Sequence, residues 1–164
     1  MRGMEMRIGH GYDLHRLEAS EKDGGLLKVG GVGVKCGLKA IAHSDGDAVM
    51  HALADALLSA IGEPDIGQLF PDTATENKNR DSAEFLVEAI ERINLGGWAI
   101  GNVAITVICD QPKIGPHREQ ICENLRRYLV APIHIKGKTC EGTDKSGTIE
   151  VHVVTLVQRG NTHE

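Results

Sequence analysis

Two short segments in the first third of this 164-residue chain combine aspartate with histidine at spacings that suit metal chemistry. Asp13 and His15 lie two residues apart in a predicted strand, so their side chains leave the same face. His51 lies in a predicted helix further along the chain. One carboxylate and two imidazoles make a three-ligand site for a divalent metal with one position open, which is typical of catalytic zinc sites. The residue types therefore predict a catalytic metal site.

Two further aspartates flank His51 at helical spacing. Asp47 and Asp55 lie four residues before and after it, so the three side chains share one face of the predicted helix. We expect Asp55 or Asp47 to accept a hydrogen bond from the ring of His51 and to fix its tautomer. The alternative is that His15 is a surface residue, His51 a core histidine, and both carboxylates surface charges.

Composition excludes several classes of function. A formal net charge of −5 without a basic run argues against a nucleic-acid partner. No apolar run reaches the roughly 20 residues that a bilayer-spanning helix needs, and the N-terminus lacks the apolar core of a signal peptide. Four cysteines without a C-x-x-C pair are typical of reduced thiols. We therefore expect a cytoplasmic protein with neither a nucleic-acid nor a membrane partner.

The spacing of apolar residues predicts a single α+β domain over residues 1–164. About three helices are expected to pack on one face of one mixed β-sheet. Asp81 is the expected N-cap of the second helix, and Pro116 suits the first turn of the third. The predicted helices are 45–61, 81–94 and one after Pro116, and the predicted strands are 6–14, 26–34, 98–109, 132–139 and 148–158.

The second face of this predicted sheet must meet solvent or a neighbouring subunit, because three helices cannot cover both faces. Ile149, Val151, Val153 and Val157 share one side of the last predicted strand. We expect this apolar side to be buried in a symmetric oligomer.

Other catalytic motifs are incomplete or absent from the sequence. Gly30, Gly31 and Gly33 follow a strand, but Cys36 stands where G-x-G-x-x-G has its third glycine, and no helix follows. The sequence contains neither a G-x-S-x-G motif nor a P-loop, so a serine hydrolase or a Walker-type kinase has no support. Glu141, in a polar turn after a predicted strand, is by itself more typical of a solvated carboxylate.

Six segments, in a fixed order from residue 7 to about residue 141, carry a resemblance to a known family. They are R-I-G-H-G-Y-D-L-H at 7–15, A-H-S-D-G-D at 42–47, H-A-L-A-D-A-L-L at 51–58, D-I-G-Q-L-F-P-D-T at 65–73, G-N-V at 101–103 and Q-P-K-I at 111–114. The chain resembles the 2-C-methyl-D-erythritol 2,4-cyclodiphosphate synthases, enzymes of the non-mevalonate isoprenoid pathway. Six ordered segments are more specific than any single motif.

The resemblance implies a phosphorus–oxygen lyase. This enzyme converts 4-diphosphocytidyl-2-C-methyl-D-erythritol 2-phosphate to the cyclic diphosphate and releases CMP. The 2-phosphate of the substrate is itself the nucleophile, which agrees with the missing serine and cysteine motifs. The enzyme must position two phosphate groups and neutralise their charge with cations. The resemblance also implies a homotrimer, with the sheets facing inward and the active sites between subunits.

The resemblance implies two cations. Asp13, His15 and His51 would hold Zn²⁺, or another divalent transition metal, at the β-phosphate. Glu141 would hold Mg²⁺ or Mn²⁺ between the α- and β-phosphates, where a hard oxygen ligand is expected.

The resemblance also assigns the substrate contacts. His43 and Ser44 would contact the 2-phosphate, and Thr139 would stabilise charge on the transferring phosphorus, so His43 and Thr139 are the expected catalytic residues. The erythritol part would lie against residues 65–74, and the cytidine against residues 109–115 of an adjacent subunit. The substrate-binding residues implied are Asp13, His15, His43, Ser44, Asp65, Gly67, Phe70, Asp72, Thr73, Ala74, Cys109, Asp110, Gln111, Pro112, Lys113, Ile114, Gly115, Lys138, Thr139, Cys140 and Glu141.

The chain departs from the family after Glu141. Relatives often carry a longer segment with Gly-Arg-Gly-Glu-Gly there, whereas residues 142–147 are shorter and contain no arginine. Lys145 is either a replacement for that positive charge or a solvated lysine. The family's arginine contact, and binding of an isoprenoid diphosphate in a central cavity, are therefore in doubt. Two other functions stay open: a zinc-dependent hydrolase of another phosphate ester, and a non-catalytic trimer that binds isoprenoid diphosphates.

Overall fold

This computed structural model describes residues 3–42, 44–71 and 80–160. They form one mixed five-stranded β-sheet with helices on one face, and a separate two-stranded sheet. Strands β1 to β7 are Met4–Ala19, Leu26–Val29, Val32–Lys35, Leu38–Ala40, Ala99–Ile108, Ile133–Lys138 and Thr148–Gly160. Helices α1 to α4 are Ala48–Ile61, Ile66–Leu69, Ser82–Leu95 and Arg118–Leu125. The predicted α+β class is confirmed.

The main sheet has the strand order β4-β1-β7-β5-β6. Strand β7 runs antiparallel to β1 and β5, whereas β5 runs parallel to β6, so the sheet is mixed as predicted. The prediction of one strand over 26–34 is wrong, because β2 and β3 form a separate antiparallel hairpin. Gly30 and Gly31, with φ of 59° and 77°, allow the chain to reverse between these two strands.

Side-chain caps determine where the two long helices begin. The carboxylate of Asp47 accepts hydrogen bonds from two backbone amides of the first turn, so α1 begins at Ala48 rather than at residue 45. Asp81 caps α3 in the same way, as predicted. Pro116 lies in a 3-10 turn that leads into α4. No helix within the three described ranges is both long enough and apolar enough to cross a lipid bilayer.

Two glycines allow α1 to lie directly against β1. A Cβ atom on Gly9 would lie 1.8 Å from the carbonyl oxygen of Ala56, and one on Gly11 would lie 1.8 Å from that of Ala52. Only a hydrogen atom fits at these two positions. The next inward-facing positions of β1 carry the aspartate and the histidine of the predicted metal site. The close approach therefore places these two side chains beside α1.

The apolar residues of β7 that were expected at a subunit interface lie inside the chain instead. Ile149, Val151, Val153 and Val157 are at most 1% exposed, because they face the helices and form part of the core. That expectation is wrong for these four residues. The opposite face of the sheet exposes Ile8, Tyr12, Leu14 and Val154. The homotrimer stays a prediction, and its apolar contact surface would be this opposite face.

Candidate metal centre and a second cavity

The structure brings Asp13, His15 and His51 together where α1 packs on β1. Asp13 Oδ2 lies 3.0 Å from His51 Nδ1 and 3.1 Å from His15 Nδ1. One potential ligand atom of each residue lies within 4.8 Å of the other two. The spacing of the sequence predicted this grouping, and a divalent metal fits it.

The hydrogen bonding of His15 supports a cation at this position. Its Nδ1 atom is buried and has no hydrogen-bond partner among the described residues, since its contact with Asp13 lacks hydrogen-bond geometry. Buried polar atoms without partners are rare and require an explanation. An imidazole nitrogen beside a carboxylate and a second imidazole is the donor set that zinc and similar ions bind. A bound cation would give this nitrogen a partner.

The Asp13 carboxylate is an anion at neutral pH. Burial acts to raise its pKa, but the imidazoles of His15 and His51 outweigh burial and lower that pKa to about 2. The cluster therefore holds a fixed negative charge that favours a positive charge next to it. A divalent cation satisfies that requirement and also uses the ring nitrogens.

Two serines contact the other side of the His51 ring. Ser82 Oγ lies 2.8 Å from His51 Nε2, and Ser44 Oγ lies 3.3 Å from the same nitrogen. Ser82 was not predicted to be a site residue, although its place directly after the predicted N-cap Asp81 puts it at the start of α3. Both ring nitrogens of His51 are thus in contact with polar groups from other segments.

Neither Asp47 nor Asp55 holds the ring of His51, so this expectation is wrong. Asp47 accepts hydrogen bonds from both glycine amides of the β2–β3 turn and from the first turn of α1. Asp55 accepts one from the backbone amide of Ile66 at 2.8 Å. Burial raises the pKa of Asp55. These carboxylates fasten the hairpin and α2 to α1.

A cavity of about 320 Å³ opens beside the three candidate metal ligands. It is lined by Ser44, Gly67 and Phe70, three of the residues predicted to contact substrate, and by Phe85. Asp65 caps α2 by accepting a hydrogen bond from the Gln68 amide at 2.8 Å, and it is exposed. Among the expected site residues, those outside the described part of the chain are His43, Asp72, Thr73 and Ala74.

The remaining expected site residues lie around a second cavity, of about 350 Å³, that shares no lining residue with the first. Thr139 donates a hydrogen bond to Glu141, whose backbone has a φ of 51°. Gln111 is exposed, and Pro112 is buried. The residues that line this cavity are Cys109, Lys113, Ile114, Gly115, Gly137, Lys138, Thr139 and Glu141.

Asp110 joins the two loops that frame the second cavity. Its carboxylate accepts hydrogen bonds from the backbone amide of Cys140 at 3.0 Å and from Ser146 Oγ at 2.8 Å. These bonds lower the pKa of Asp110, the Cys140 amide contributing most. The thiols of Cys109 and Cys140 are buried and free, and each contacts a carbonyl oxygen of its own loop. The carboxylate of Asp110 and the Cys140 thiol therefore hold the loops in place.

Lys145 in the shortened segment is paired. Its ammonium group contacts the carboxylate of Glu150, whose side chain is only 5% exposed. The ring of His152 lies 2.9 Å from the other oxygen of Glu150. The lysine thus compensates a buried carboxylate on the face of the sheet that is opposite to the helices.

Comparison with known proteins gives a consistent result. The profile of the YgbB family matches residues 6–158. A protein of Gemmatimonas aurantiaca named 2-C-methyl-D-erythritol 2,4-cyclodiphosphate synthase is 46% identical over 140 residues, which cover 84% of this chain and 82% of the relative. A protein of Rhodopirellula baltica with the same name is 43% identical over 163 residues, which cover 95% of each chain.

Solved structures agree with these sequence relatives. A 2C-methyl-D-erythritol-2,4-cyclodiphosphate synthase in a CDP-bound form has a TM-score of 0.84 at 40% identity, covering 92% of this chain and 99% of that one. A CDP complex of IspF from Plasmodium falciparum has a TM-score of 0.81 at 36% identity, covering 95% and 97%. Fold and sequence therefore indicate the same group of proteins.

Proposed function

The chain belongs to the YgbB family, and on this premise we propose how its residues synthesise 2-C-methyl-D-erythritol 2,4-cyclodiphosphate in isoprenoid biosynthesis. The observation that carries the proposal is the cluster of Asp13, His15 and His51 beside a cavity large enough for a phosphorylated metabolite. The substrate is 4-diphosphocytidyl-2-C-methyl-D-erythritol 2-phosphate, and the CDP in two similar structures supports a cytidylyl ligand.

The reaction exchanges one phosphorus–oxygen bond for another. An oxygen of the 2-phosphate forms a bond to the β-phosphorus, the bond from that phosphorus to the bridging oxygen of CMP breaks, and CMP leaves with the electron pair. No protein side chain needs to form a covalent intermediate. The task of the protein is to bring two anionic groups together and to hold them in line.

Asp13, His15 and His51 are proposed to bind a divalent cation, Zn²⁺ or another transition metal. When bound, this cation supplies charge neutralisation and polarises a phosphate oxygen. The three side chains come from a strand and a helix that are fixed by close backbone contact, so the site is formed before the substrate arrives. The hydroxyl of Ser44 and the side chain of His43 are proposed to contact the 2-phosphate.

The second cavity is proposed to bind the cytidine diphosphate half of the substrate. Lys113 and Lys138 are exposed there and supply positive charge for phosphates. Glu141 is proposed to hold Mg²⁺ or Mn²⁺ between the α- and β-phosphates, and Thr139 to stabilise charge on the transferring phosphorus. The remaining contacts, from 109–115 and residues 138–141, surround the nucleoside.

We propose that the two cavities face each other across subunits of a homotrimer. The separation of the two sets of lining residues within one chain supports this arrangement, as does the exposed apolar face of the sheet. A cyclic assembly would bring the metal site of one subunit to the second cavity of its neighbour. The reaction class is that of a phosphorus–oxygen lyase, and the expected compartment is the cytoplasm.

The test is a product analysis. Purified protein is incubated with the cytidylyl substrate, Zn²⁺ and Mg²⁺, and the products are separated by anion-exchange chromatography. Cyclic diphosphate and CMP in equal amounts are expected, and EDTA is expected to stop both. Inorganic phosphate without CMP would identify a hydrolase instead, and binding without turnover would indicate a non-catalytic trimer.

A further inference from the structure

A chain of hydrogen bonds leads away from the metal site on the far side of His51. Ser82, the first residue of α3, is completely buried, and its Oγ lies 2.8 Å from His51 Nε2. The same hydroxyl donates a hydrogen bond to Asp45 Oδ1. Asp45 Oδ2 in turn lies 2.7 Å from the ammonium nitrogen of Lys28 on β2. Four segments of the chain thus meet behind the imidazole.

The direction of each hydrogen bond follows from the groups involved. Burial acts to raise the pKa of Asp45, but its hydrogen bonds with Lys28 and Ser82 outweigh burial and lower that pKa. Asp45 is therefore an ionised carboxylate, which can only accept hydrogen bonds. Ser82 has a single hydroxyl proton, and this proton goes to Asp45. The oxygen of Ser82 can then only accept from His51, so Nε2 of His51 must carry a proton.

This assignment determines which nitrogen of His51 is free to bind a cation. In the cation-bound state, His51 keeps its Nε2 proton and presents the lone pair of Nδ1 to the cation. Nδ1 is the atom that lies 3.0 Å from Asp13 Oδ2, inside the metal cluster. We propose that Ser82, Asp45 and Lys28 form a positioning relay that fixes the tautomer and ring orientation of His51 for cation binding. The relay rests on the proposed function only in assuming that the cluster binds a divalent cation.

The relay also affects Ser44. This residue lies 3.3 Å from His51 Nε2 and accepts a hydrogen bond from the Gly46 amide at 3.2 Å. Because His51 Nε2 carries a proton, which is directed to Ser82 at the shorter distance of 2.8 Å, this nitrogen cannot accept a hydrogen bond from Ser44. The hydroxyl proton of Ser44 is then free to be donated to a phosphate oxygen in the adjoining cavity. The relay thus separates the serine that positions the ligand from the serine that contacts the substrate.

The test uses Zn²⁺ as the probe and needs no substrate. Zinc affinity is measured by competition with a chromophoric chelator in the wild type, Ser82→Ala, Ser82→Thr, Asp45→Ala and Asp81→Ala. Asp81→Ala is the matched control, since it removes the N-cap of α3 next to Ser82 without contacting His51. Nitrogen-15 NMR of the zinc-loaded wild type reports which nitrogen of His51 keeps its proton.

We expect Ser82→Ala and Asp45→Ala to weaken zinc binding by about 10- to 100-fold, the usual effect of losing a partner behind a metal ligand. Ser82→Thr retains the hydroxyl and is expected to stay within about threefold of the wild type, as is Asp81→Ala. The NMR spectrum is expected to show Nε2–H with zinc on Nδ1.

Several results would overturn the relay. They are zinc on Nε2 of His51, unchanged zinc affinity in a folded Ser82→Ala or Asp45→Ala protein, or an equal loss in Asp81→Ala. A wild type that binds no zinc would overturn it as well. If Ser82→Ala fails to fold, the wild-type NMR spectrum and Asp45→Ala still decide. Zinc binding with the expected pattern but without CMP release would refute the proposed reaction and support the relay.

Discussion

The cavity at the candidate metal centre and the second cavity differ in how completely the residues of one chain build them. The candidate metal ligands are at least half-buried, come from a strand and a helix in direct backbone contact, and are supported from behind by Ser82 and Asp45. The second cavity is formed by the end of a strand and two loops, and its charged groups Lys113, Lys138 and Glu141 are exposed. The candidate metal ligands are therefore held by several segments of their own chain, whereas the second cavity presents exposed charged groups.

This difference indicates a division of labour. Groups that hold a cation must keep their geometry in the absence of the ligand, so burial and a supporting network are useful there. The groups of the second cavity, which are proposed to bind a nucleotide at a subunit boundary, would obtain an opposing surface from the neighbour. The comparison therefore predicts that changes in the first site abolish the chemistry, whereas changes in the second reduce it.

The largest expected effect comes from Asp13→Asn. The amide keeps the size of the side chain but removes the negative charge that two imidazoles stabilise. Zinc is expected to be lost on dialysis, and the rate of CMP release to fall by about 100- to 1,000-fold, since electrostatic stabilisation of the reacting phosphate is lost. Metal analysis and a CMP assay measure both effects.

Asp144→Asn provides the control for that change, because Asp144 lies exposed in the turn at 142–147. It is expected to retain zinc and full activity, and the Asp13→Asn protein is expected to keep its circular dichroism spectrum and its mass in solution. Unfolding of Asp13→Asn would instead indicate a structural metal site.

A smaller loss is expected from Glu141→Gln. The variant keeps the hydrogen bond from Thr139 but loses the charge proposed to hold Mg²⁺. Activity is expected to fall by about 10- to 100-fold at low Mg²⁺, with a shift of the Mg²⁺ dependence to higher concentration. Zinc content should not change, because the two cavities share no lining residue. An unaltered Mg²⁺ response would remove Glu141 from the proposed mechanism.

Mixing these two impaired variants at low Mg²⁺ tests whether the cavities belong to one site across subunits. If Asp13→Asn and Glu141→Gln chains are refolded together, some boundaries will pair the intact metal site of one chain with the intact second cavity of another. Random assembly of equal amounts gives about a quarter of such boundaries, and about that fraction of wild-type activity. Activity no higher than that of the separate variants would show that each site lies within one chain.

The sequence predicted the metal cluster better than its supports. Asp13 and His15 are two residues apart in a strand, so their spacing in the sequence is enough to predict that their side chains leave the same face. The residues that contact the other side of His51 could not be predicted in this way. Ser82 is 31 residues away in the chain and reaches the ring only after α3 has packed on α1. No local spacing signals that contact. Asp47 and Asp55, which are closer to His51 in sequence, instead accept hydrogen bonds from the backbone amides of Val49 and Ile66.

The glycines show the same limit. The sequence pattern did not show that Gly30 and Gly31 separate a pair of strands, and the absence of a dinucleotide site there stays a prediction. The pattern also did not detect the role of Gly9 and Gly11, because a close approach between a strand and a helix is visible only in three dimensions. Apolar alternation in β7 was recognised, but which face it covers depends on where the helices pack.

A fourth prediction concerns this close approach. A methyl group at Gly11 would collide with the carbonyl oxygen of Ala52, so Gly11→Ala forces β1 and α1 apart. The free energy of unfolding is expected to fall by about 1–3 kcal/mol, a typical cost of overpacking, and zinc affinity to fall with it. Gly160→Ala is the control, since a Cβ atom there meets no atom of the described residues within 4 Å. Equal stability of the two variants in urea titrations would contradict the argument.

The smallest expected effect is that of Asp110→Asn, which loosens the two loops around the second cavity without removing a group proposed to bind phosphate. The loss of charge weakens the hydrogen bonds from the Cys140 amide and Ser146, and KM for the substrate is expected to rise about threefold to tenfold with kcat unchanged.

Because these bonds lower the pKa of Asp110, its contribution to stability is present above the ordinary aspartate pKa and is lost as pH falls through the lowered value. The urea midpoints of the wild type and the variant should therefore differ at pH 7 and converge below about pH 4. A difference that persists unchanged in acid would show that the carboxylate charge does not hold the loops.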